Sequence, residues 1–533
     1  MFVRIKKNSG TLRRSVVVCH SVRRGEEVRQ LTAKIFGHSA QKAELEDLKI
    51  KAKEWIKNYG AQWKQQVLPT KRSKKMTSRV SVFNLKEQAR INVGVEDILG
   101  KLYRDFGFQD LLSTTHQKTL RNVLFARALE PGSKRSLSLV SEKNLMEELP
   151  LDRIYRMMDA LIKKGDEVQQ KIFTAAEIAL QGKISLMLFD VTTLSFETIT
   201  EDELRIFGFS KDFKFNTTQI VLALATTKEG LPIGFKLFPG NTAETKTLIE
   251  SINSWRRHIP IGDVTVIGDR AMMSDENLSQ LELAGFQYIV AFPLRKLSKS
   301  QQEIILDKGS YKNVTDDEIS SYYTTELGKR FLCVSYNEKR ALKDQKDRER
   351  LVKKLQNKLA SGKSTKRLVN NHGYLKYTKI TGQSIANIDE EKIANEARWD
   401  GLHGVISNKK FDGLEAYNHY RRLWVIEESF RINKHNLKMR PIYHFTPRRI
   451  KAHILLCYIE FALMRHIQFR LQRVNQAMSI ERIINALKDM QASILIDVTN
   501  ERKYRVPSSL TEDTKIIYEV FGLESKLKAI VSS

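Results

Sequence analysis

A chain of 533 residues has room for about three or four domains of ordinary size. Hydrophobic residues are 41% and charged residues 29%, which excludes a disordered tail protein, a collagen-like fibre and a disulfide-stapled mini-domain. The 90 Lys and Arg against 62 Asp and Glu leave a formal net charge of +28, so a polyanion is the first partner to consider.

Three cysteines, Cys19, Cys333 and Cys457, lie far apart with no Cys-x-x-Cys pair. That argues against a thiolate zinc site or a disulfide framework and suits a reducing compartment. The apolar run Ile454–Met464 is interrupted by Glu460 and falls short of the roughly 20 residues a bilayer requires. The N-terminus alternates apolar and basic residues without an apolar signal core. A cytoplasmic protein with no membrane partner is expected.

The positive charge is local. Residues 1–85 hold 20 Lys/Arg against 6 Asp/Glu, a net of +14, and residues 420–473 hold 12 against 3, a net of +9. Two surfaces facing nucleic acid account for this better than general solubility does.

In chain order, residues 1–85 read as a basic β/α region. It has short strands at Phe2–Ile5 and Ser15–His20, a close at Gly37, a helix over about 41–58 and a linker at KRSKK (71–75). Residues 86–180 carry helical spacing (Leu120, Val123, Leu124, Ala128) broken at Glu130-Pro131-Gly132. From 181 to 296 the pattern becomes α/β. ISLMLFD (184–190), QIVLALAT (219–226) and PIGFKLF (232–238) read as strands. A helix over 243–255, VTVIGD (264–269), a helix over 275–284 and the strand QYIVAFP (287–293) follow. The expected fold is an α/β core, a mixed sheet with helices on both faces. Residues 297–399 read as a mainly β insertion, 400–475 as the second part of the core, and 476–533 as a helical tail.

Asp190 and Asp269 each close an apolar strand. Ligands gather outside the carboxyl ends of strands, and a carboxylate there must be paired or bind a metal. For either one alone, a helix N-cap or loop role is as good an account, and Arg270 is a ready ion-pair partner for Asp269. A third carboxylate comes from helix geometry. Leu423, Ile426, Phe430 and Leu437 define a buried stripe, and Glu427 stands at its border. Tyr420 and Lys434, seven residues away on either side, fall within about 20° of Glu427. Glu428 is turned about 100° further, toward solvent. A plain Glu427–Arg431 pair is the competing account. Two strand-end aspartates and a helix glutamate, with no Cys or His cluster, suit Mg²⁺, with Mn²⁺ as a substitute. Two such ions about 4 Å apart serve phosphoryl transfer.

These residues resemble bacterial insertion-sequence transposases of the Asp–Asp–Glu type, which have a ribonuclease-H-like core. The likeness is to the branch with a Tyr-x2-Arg-x3-Glu-x6-Lys signature. Tyr420, Glu427 and Lys434 match that spacing, while Leu423 stands at the Arg position with Arg421 and Arg422 beside it. LFDVTTLSFET, FGFSKDFKFNTTQIVLAL, GLPIGFKLFPGNTAETKTL and VIGDRAMMS match as well, and the likeness spans roughly 120–470. The resemblance implies transposition, by cut-and-paste or by copying, with Asp190, Asp269 and Glu427 holding the metals. It implies that Tyr420 and Lys434 contact DNA phosphates. Trp424 is either a base-stacking residue or a core aromatic. Arg270, Arg421, Arg431, Lys438 and Arg440 are further DNA-contact candidates. Residues 1–85 and parts of the helical region would read the terminal inverted repeats, and a homodimer or higher oligomer would act on end and target DNA near the nucleoid. The competing functions are another ribonuclease-H-like nuclease of junction-resolvase type and an inactive DNA-binding derivative.

Overall fold

The computed structural model describes residues 1–7, 14–24, 27–67, 84–208, 216–262, 264–270, 274–314, 319–360, 373–381, 385–523 and 530–532. The chain divides into two compact units, Met1–Ser81 and Val82–Ser533.

In the first unit β1 (Phe2–Lys7), β2 (Arg14–Arg24) and β3 (Glu27–Ser39) form an antiparallel meander. Val16 and Val18 of β2 turn inward against Leu45 and Ala52 of helix α1 (Lys42–Val67), while Arg4 and Lys6 alternate outward. Gly37 does not close the region: β3 runs through it, opposite Val16 at a shift of register. The expected linker at 71–75 lies outside the described residues.

The second unit is built on a nine-stranded sheet. One end of it is an antiparallel meander of β5 (Leu186–Ser195), β6 (Gln219–Thr226) and the edge strand β7 (Pro232–Pro239). β8 (Thr265–Gly268) and β9 (Gln287–Phe292) join parallel on the other side of β5. Numbered by chain position, these five strands run in the order 3-2-1-4-5, which fits a ribonuclease-H-like α/β core. Met187, Phe189 and Val191 of β5 face α7 (Glu244–Trp255) and α8 (Asp275–Leu283). Leu186, Leu188 and Leu194 face the opposite cluster, which holds Ile426, Phe430 and most of a long buried helix. One expectation is corrected here: β5 does not end at Asp190. Its antiparallel pairing with β6 continues to Ser195, so the ladder carries the strand past the carboxylate.

The reading of 297–399 as a mainly β insertion is also corrected. β10 (Lys312–Asn313), β11 (Ser321–Leu327) and β12 (Arg330–Tyr336) extend the core sheet, β12 pairing with β15 (Leu402–Ser407) and β15 with β9. Leu332 and Val334 bury against Leu294 and Leu402, which joins this hairpin to the core. The remainder is largely helix, α9 (Lys299–Leu306), α10 (Glu338–Ala360) and α11 (Glu390–Ala397), with a small hairpin of β13 (Thr378–Thr381) and β14 (Ile385–Ile388).

Helices α2 (Gly100–Asp105), α3 (Thr114–Leu129), α4 (Lys134–Leu145), α5 (Leu151–Leu161) and α6 (Gly165–Leu180) precede the sheet. α3 stops at the expected Glu130-Pro131-Gly132 break, and Ser133 caps α4 by accepting the Ser136 N–H. The site helix follows β15 in pieces: α12 (Gly413–Tyr420), a 3₁₀ turn (Arg421–Leu423), α13 (Trp424–Arg431) and a wide π turn (Ile432–Asn436). α14 (Pro447–Gln472) is buried from Ile450 to Leu471 except at Lys451 and Arg470, and takes His453, Glu460, Arg465, His466 and Gln468 inside with its apolar residues. Such a helix belongs to a core, and no described helix is long and apolar enough to cross a membrane.

The ends of this unit hold a further correction. β4 (Leu85–Asn92) pairs with β16 (Gln491–Asp497), which pairs with β17 (Lys503–Pro507) and through it β18 (Ile530–Ser532). Neither the start of the helical region nor the tail is all helix; among the described residues of the latter only α15 (Ile480–Asp489) and α16 (Glu512–Val520) are helical. A strand whose partner lies some 400 residues away has no local signature of that partner.

Candidate active site

β5 and β8 run in parallel register to Phe189 opposite Gly268. The next residue on each is an aspartate, so Asp190 and Asp269 occupy neighbouring positions where β8 stops. Alternation puts Asp190 on the face shared by Leu188 and Thr192, and Asp269 on that of Ile267. Asp190 Oδ1 accepts the Val191 N–H at 2.7 Å, and Asp269 Oδ1 accepts the Arg270 N–H at 2.6 Å. Arg270 thus reaches its neighbour through its backbone, while its side chain lines a groove of about 660 Å³ with Arg340, Arg348 and His403.

The helix above this face is seated by its apolar stripe. Val425, Ile426 and Phe430 are buried, Leu437 is fully so, and Leu423 packs at the edge of the same cluster. Leu423 therefore fills a packing position, while Arg421 is half-buried with Nη1 3.5 Å from Asn418 Oδ1. Lys434 Nζ donates to Thr192 Oγ1 at 2.6 Å, which fastens the helix to β5 two residues beyond Asp190. Alternation was sufficient to mark Thr192 as a neighbour of Asp190, but nothing local tied it to Lys434.

Glu427 is exposed. Burial pushes the Tyr420 hydroxyl up to about 12, and the charges of Asp269 and Glu427 push the same way against Arg340. Tyr420 therefore stands within the field of both carboxylates and stays protonated. Its ring lies 5.0 Å from that of His403, whose imidazole is driven down to about 4 by burial and by Arg340. A neutral histidine behind the tyrosine was not anticipated; GLHGVIS reads only as a strand.

Glu428 overturns an expectation. It does not face solvent: Oε2 lies 3.3 Å from Nη1 of the buried Arg465, and Oε1 lies 3.4 Å from Arg431 Nη2. Arg431 accordingly pairs with Glu428 rather than Glu427. Ile426, Glu427, Glu428 and Phe430 all lie within the regular helix α13, so the 100° step holds among them; Glu428 is covered because α14 brings Arg465 against that side of the helix. Trp424 is 53% exposed and is no core aromatic. Lys438 is exposed at a positive φ of 43°, beyond the π turn.

Among the described residues, no group of three His, Cys, Asp or Glu side chains is drawn together closely enough to hold a metal. Asp190, Asp269 and Glu427 offer carboxylate oxygens without sulfur or imidazole among them, the chemistry that hard divalent cations favour. Three like charges also repel one another until a cation offsets them.

Residues 181–460, just over half the chain, match the family model described as the transposase DDE domain. Comparison with curated proteins finds no match.

Proposed function

The chain belongs to the transposases with a DDE domain, and from that premise we propose that Asp190, Asp269 and Glu427 are its catalytic carboxylates, cutting DNA at the ends of an insertion sequence and joining them to a target. The observation that carries the assignment is the pair of neighbouring aspartates on one sheet face beneath the helix bearing Glu427. The Lys434–Thr192 bond supports the same placement.

The three carboxylates would hold Mg²⁺, or Mn²⁺ in its place. Bound there, two divalent ions would activate a water or 3′-hydroxyl and stabilise the leaving oxygen. The chain's own groups position the DNA. Tyr420, protonated at neutral pH, donates its O–H to a phosphate oxygen, and His403 supports the ring. Lys434 lays its charge between that phosphate and β5. Arg270, Arg421, Trp424, Arg431 and Lys438 extend the DNA-facing surface. The basic N-terminal region reads the terminal inverted repeats, and a homodimer or higher oligomer brings two ends together.

A plasmid carrying the element's ends tests the reading. Wild-type protein cleaves it with Mg²⁺ and not with EDTA, and Asp190→Asn binds it without cleaving. Cleavage that ignores the ends would favour a general nuclease, and binding with no cleavage by the wild type would mark an inactive derivative.

A further inference from the structure

The stretch leaving the Glu427 helix, residues 437–446, has a backbone tied to the interior and two large aromatic side chains left in water. Arg127, wholly buried and paired with Glu460 at 2.7 Å, donates through Nη2 to the Leu437 carbonyl at 2.8 Å. His453 Nε2 lies 3.2 Å from the Met439 carbonyl, and Lys134 Nζ lies 3.0 Å from the other ring nitrogen. Arg205, also buried and paired with Asp202, donates to the Phe445 carbonyl at 2.8 Å. His444 is buried, its ring 5.5 Å from His453 and 6.1 Å from Tyr155. Thr446 then caps α14 by accepting the Arg449 N–H.

On either side of buried His444, Tyr443 is 60% exposed and Phe445 78%. A backbone held at three carbonyls does not collapse to hide them, and exposed aromatic area in so well-anchored a loop points to a binding role. The surrounding charge says what binds. Residues 429–459 contain seven Lys and Arg and no Asp or Glu. Asp159 is shared by Arg448 and Arg449, and Lys451 meets Glu203, which leaves the strip positive. Protein interfaces are depleted of lysine, and three of these seven cations are Lys. Isolated aromatic rings among cations are instead the chemistry of single-stranded nucleic acid, where rings stack on base faces and cations take phosphates.

Resting on the transposase reading, we infer that Tyr443 and Phe445 form a pre-organised platform that stacks on unpaired DNA bases, with Lys438 on the adjoining phosphate. Base faces are available only where the duplex is open, so the platform engages unpaired bases and not the intact helix. Anchoring the loop in advance lowers the ordering cost of binding.

The test uses the full chain and two probes of equal duplex length, one blunt and one with a single-stranded overhang carrying 2-aminopurine. Wild type should bind the overhang more tightly and quench the 2-aminopurine. Tyr443→Ala/Phe445→Ala should bind the overhang about tenfold or more weakly, from the worth of a stacked base, with quenching lost and blunt-duplex affinity and melting temperature unchanged. Tyr443→Phe/Phe445→Tyr should restore both overhang affinity and quenching. Equal binding of the overhang by the Ala variant overturns the platform, as does an equal loss on both probes. A variant that loses self-association in sedimentation and keeps wild-type DNA binding would make this a contact between copies, which also overturns it. Wild type that binds neither probe would sink the transposase reading itself, whereas failure of overhang preference alone sinks only the platform.

Discussion

Glu428 and Arg465 form an ion pair that locks the site helix to α14, with Arg465 Nη1 3.3 Å from the carboxylate and only 4% of its side chain exposed. The same guanidinium donates to the carbonyls of Gly230 and Glu229 at the β6–β7 turn. Burial lowers the pKa of Arg465, and the Glu428 charge opposes that shift. One cation therefore connects the helix beside Glu427, the core sheet and the long buried helix.

The two adjacent glutamates should thus fail in different ways. Glu428→Gln should cost about 1–3 kcal/mol in urea unfolding, because it leaves a buried cation with a weaker partner. Glu427→Gln, at an exposed position, should shift stability by under about 0.5 kcal/mol yet reduce cleavage by orders of magnitude. An inactive but fully stable Glu428→Gln would show that the two roles are reversed.

Asp190→Asn and Asp269→Asn should each leave DNA binding intact and abolish cleavage. Titrating Mn²⁺ into wild type should raise its melting temperature, since a ligand that binds only the folded state stabilises it. Neither variant should respond to the same extent. A metal-induced shift that survives both substitutions would place the cation elsewhere.

Lys434 and Thr192 separate charge from tether. Thr192→Val removes the hydroxyl that accepts from Lys434 and should lower stability by about 1 kcal/mol, reducing the cleavage rate while DNA affinity holds. Lys434→Met should lower both rate and affinity and flatten the salt dependence of binding. If Thr192→Val behaves as wild type, the bond does not position the helix.

Lys134 carries a pH signature. Burial, reinforced by the Arg127 charge, lowers its pKa to about 7, with Cys457 and Glu460 opposing. A base whose folded pKa is depressed binds fewer protons folded than unfolded between that value and its ordinary one near 10.4. Stability from this group therefore rises as pH climbs above about 7, by at most about 1.4 kcal/mol per pH unit, and the cost of burying its charge is fully present below. Denaturant unfolding at pH 6 and pH 9 should show a smaller rise in Lys134→Met than in wild type. An identical rise in both would assign the dependence to other groups.

Removal of residues 1–81 should leave the second compact unit folded, because the division falls between units with their own cores. It should abolish specific binding to the element ends and reduce the salt slope of what remains, since that region carries much of the positive excess. Full-strength footprinting by the truncated chain would move end recognition to the second unit.

Much of the core was legible because its signals are local. The apolar runs that end or turn at Asp190 and Asp269 announce strands, and the spacing of Leu423, Ile426, Phe430 and Leu437 announces a buried helical stripe. The Tyr420, Glu427 and Lys434 spacing carried the family likeness, and charge counting located the basic segments. Tertiary structure alone decided the rest, because those features depend on partners remote in sequence. β4 is a strand only by virtue of β16, and β11–β12 belong to the core sheet only because β15 receives them. Thr192 meets Lys434 across 242 residues. Glu428 is drawn out of solvent because α14 brings Arg465 against it. Periodicity reports which side chains share a face; which charge lies opposite them is settled only when the chain closes and a buried cation must find its counterion.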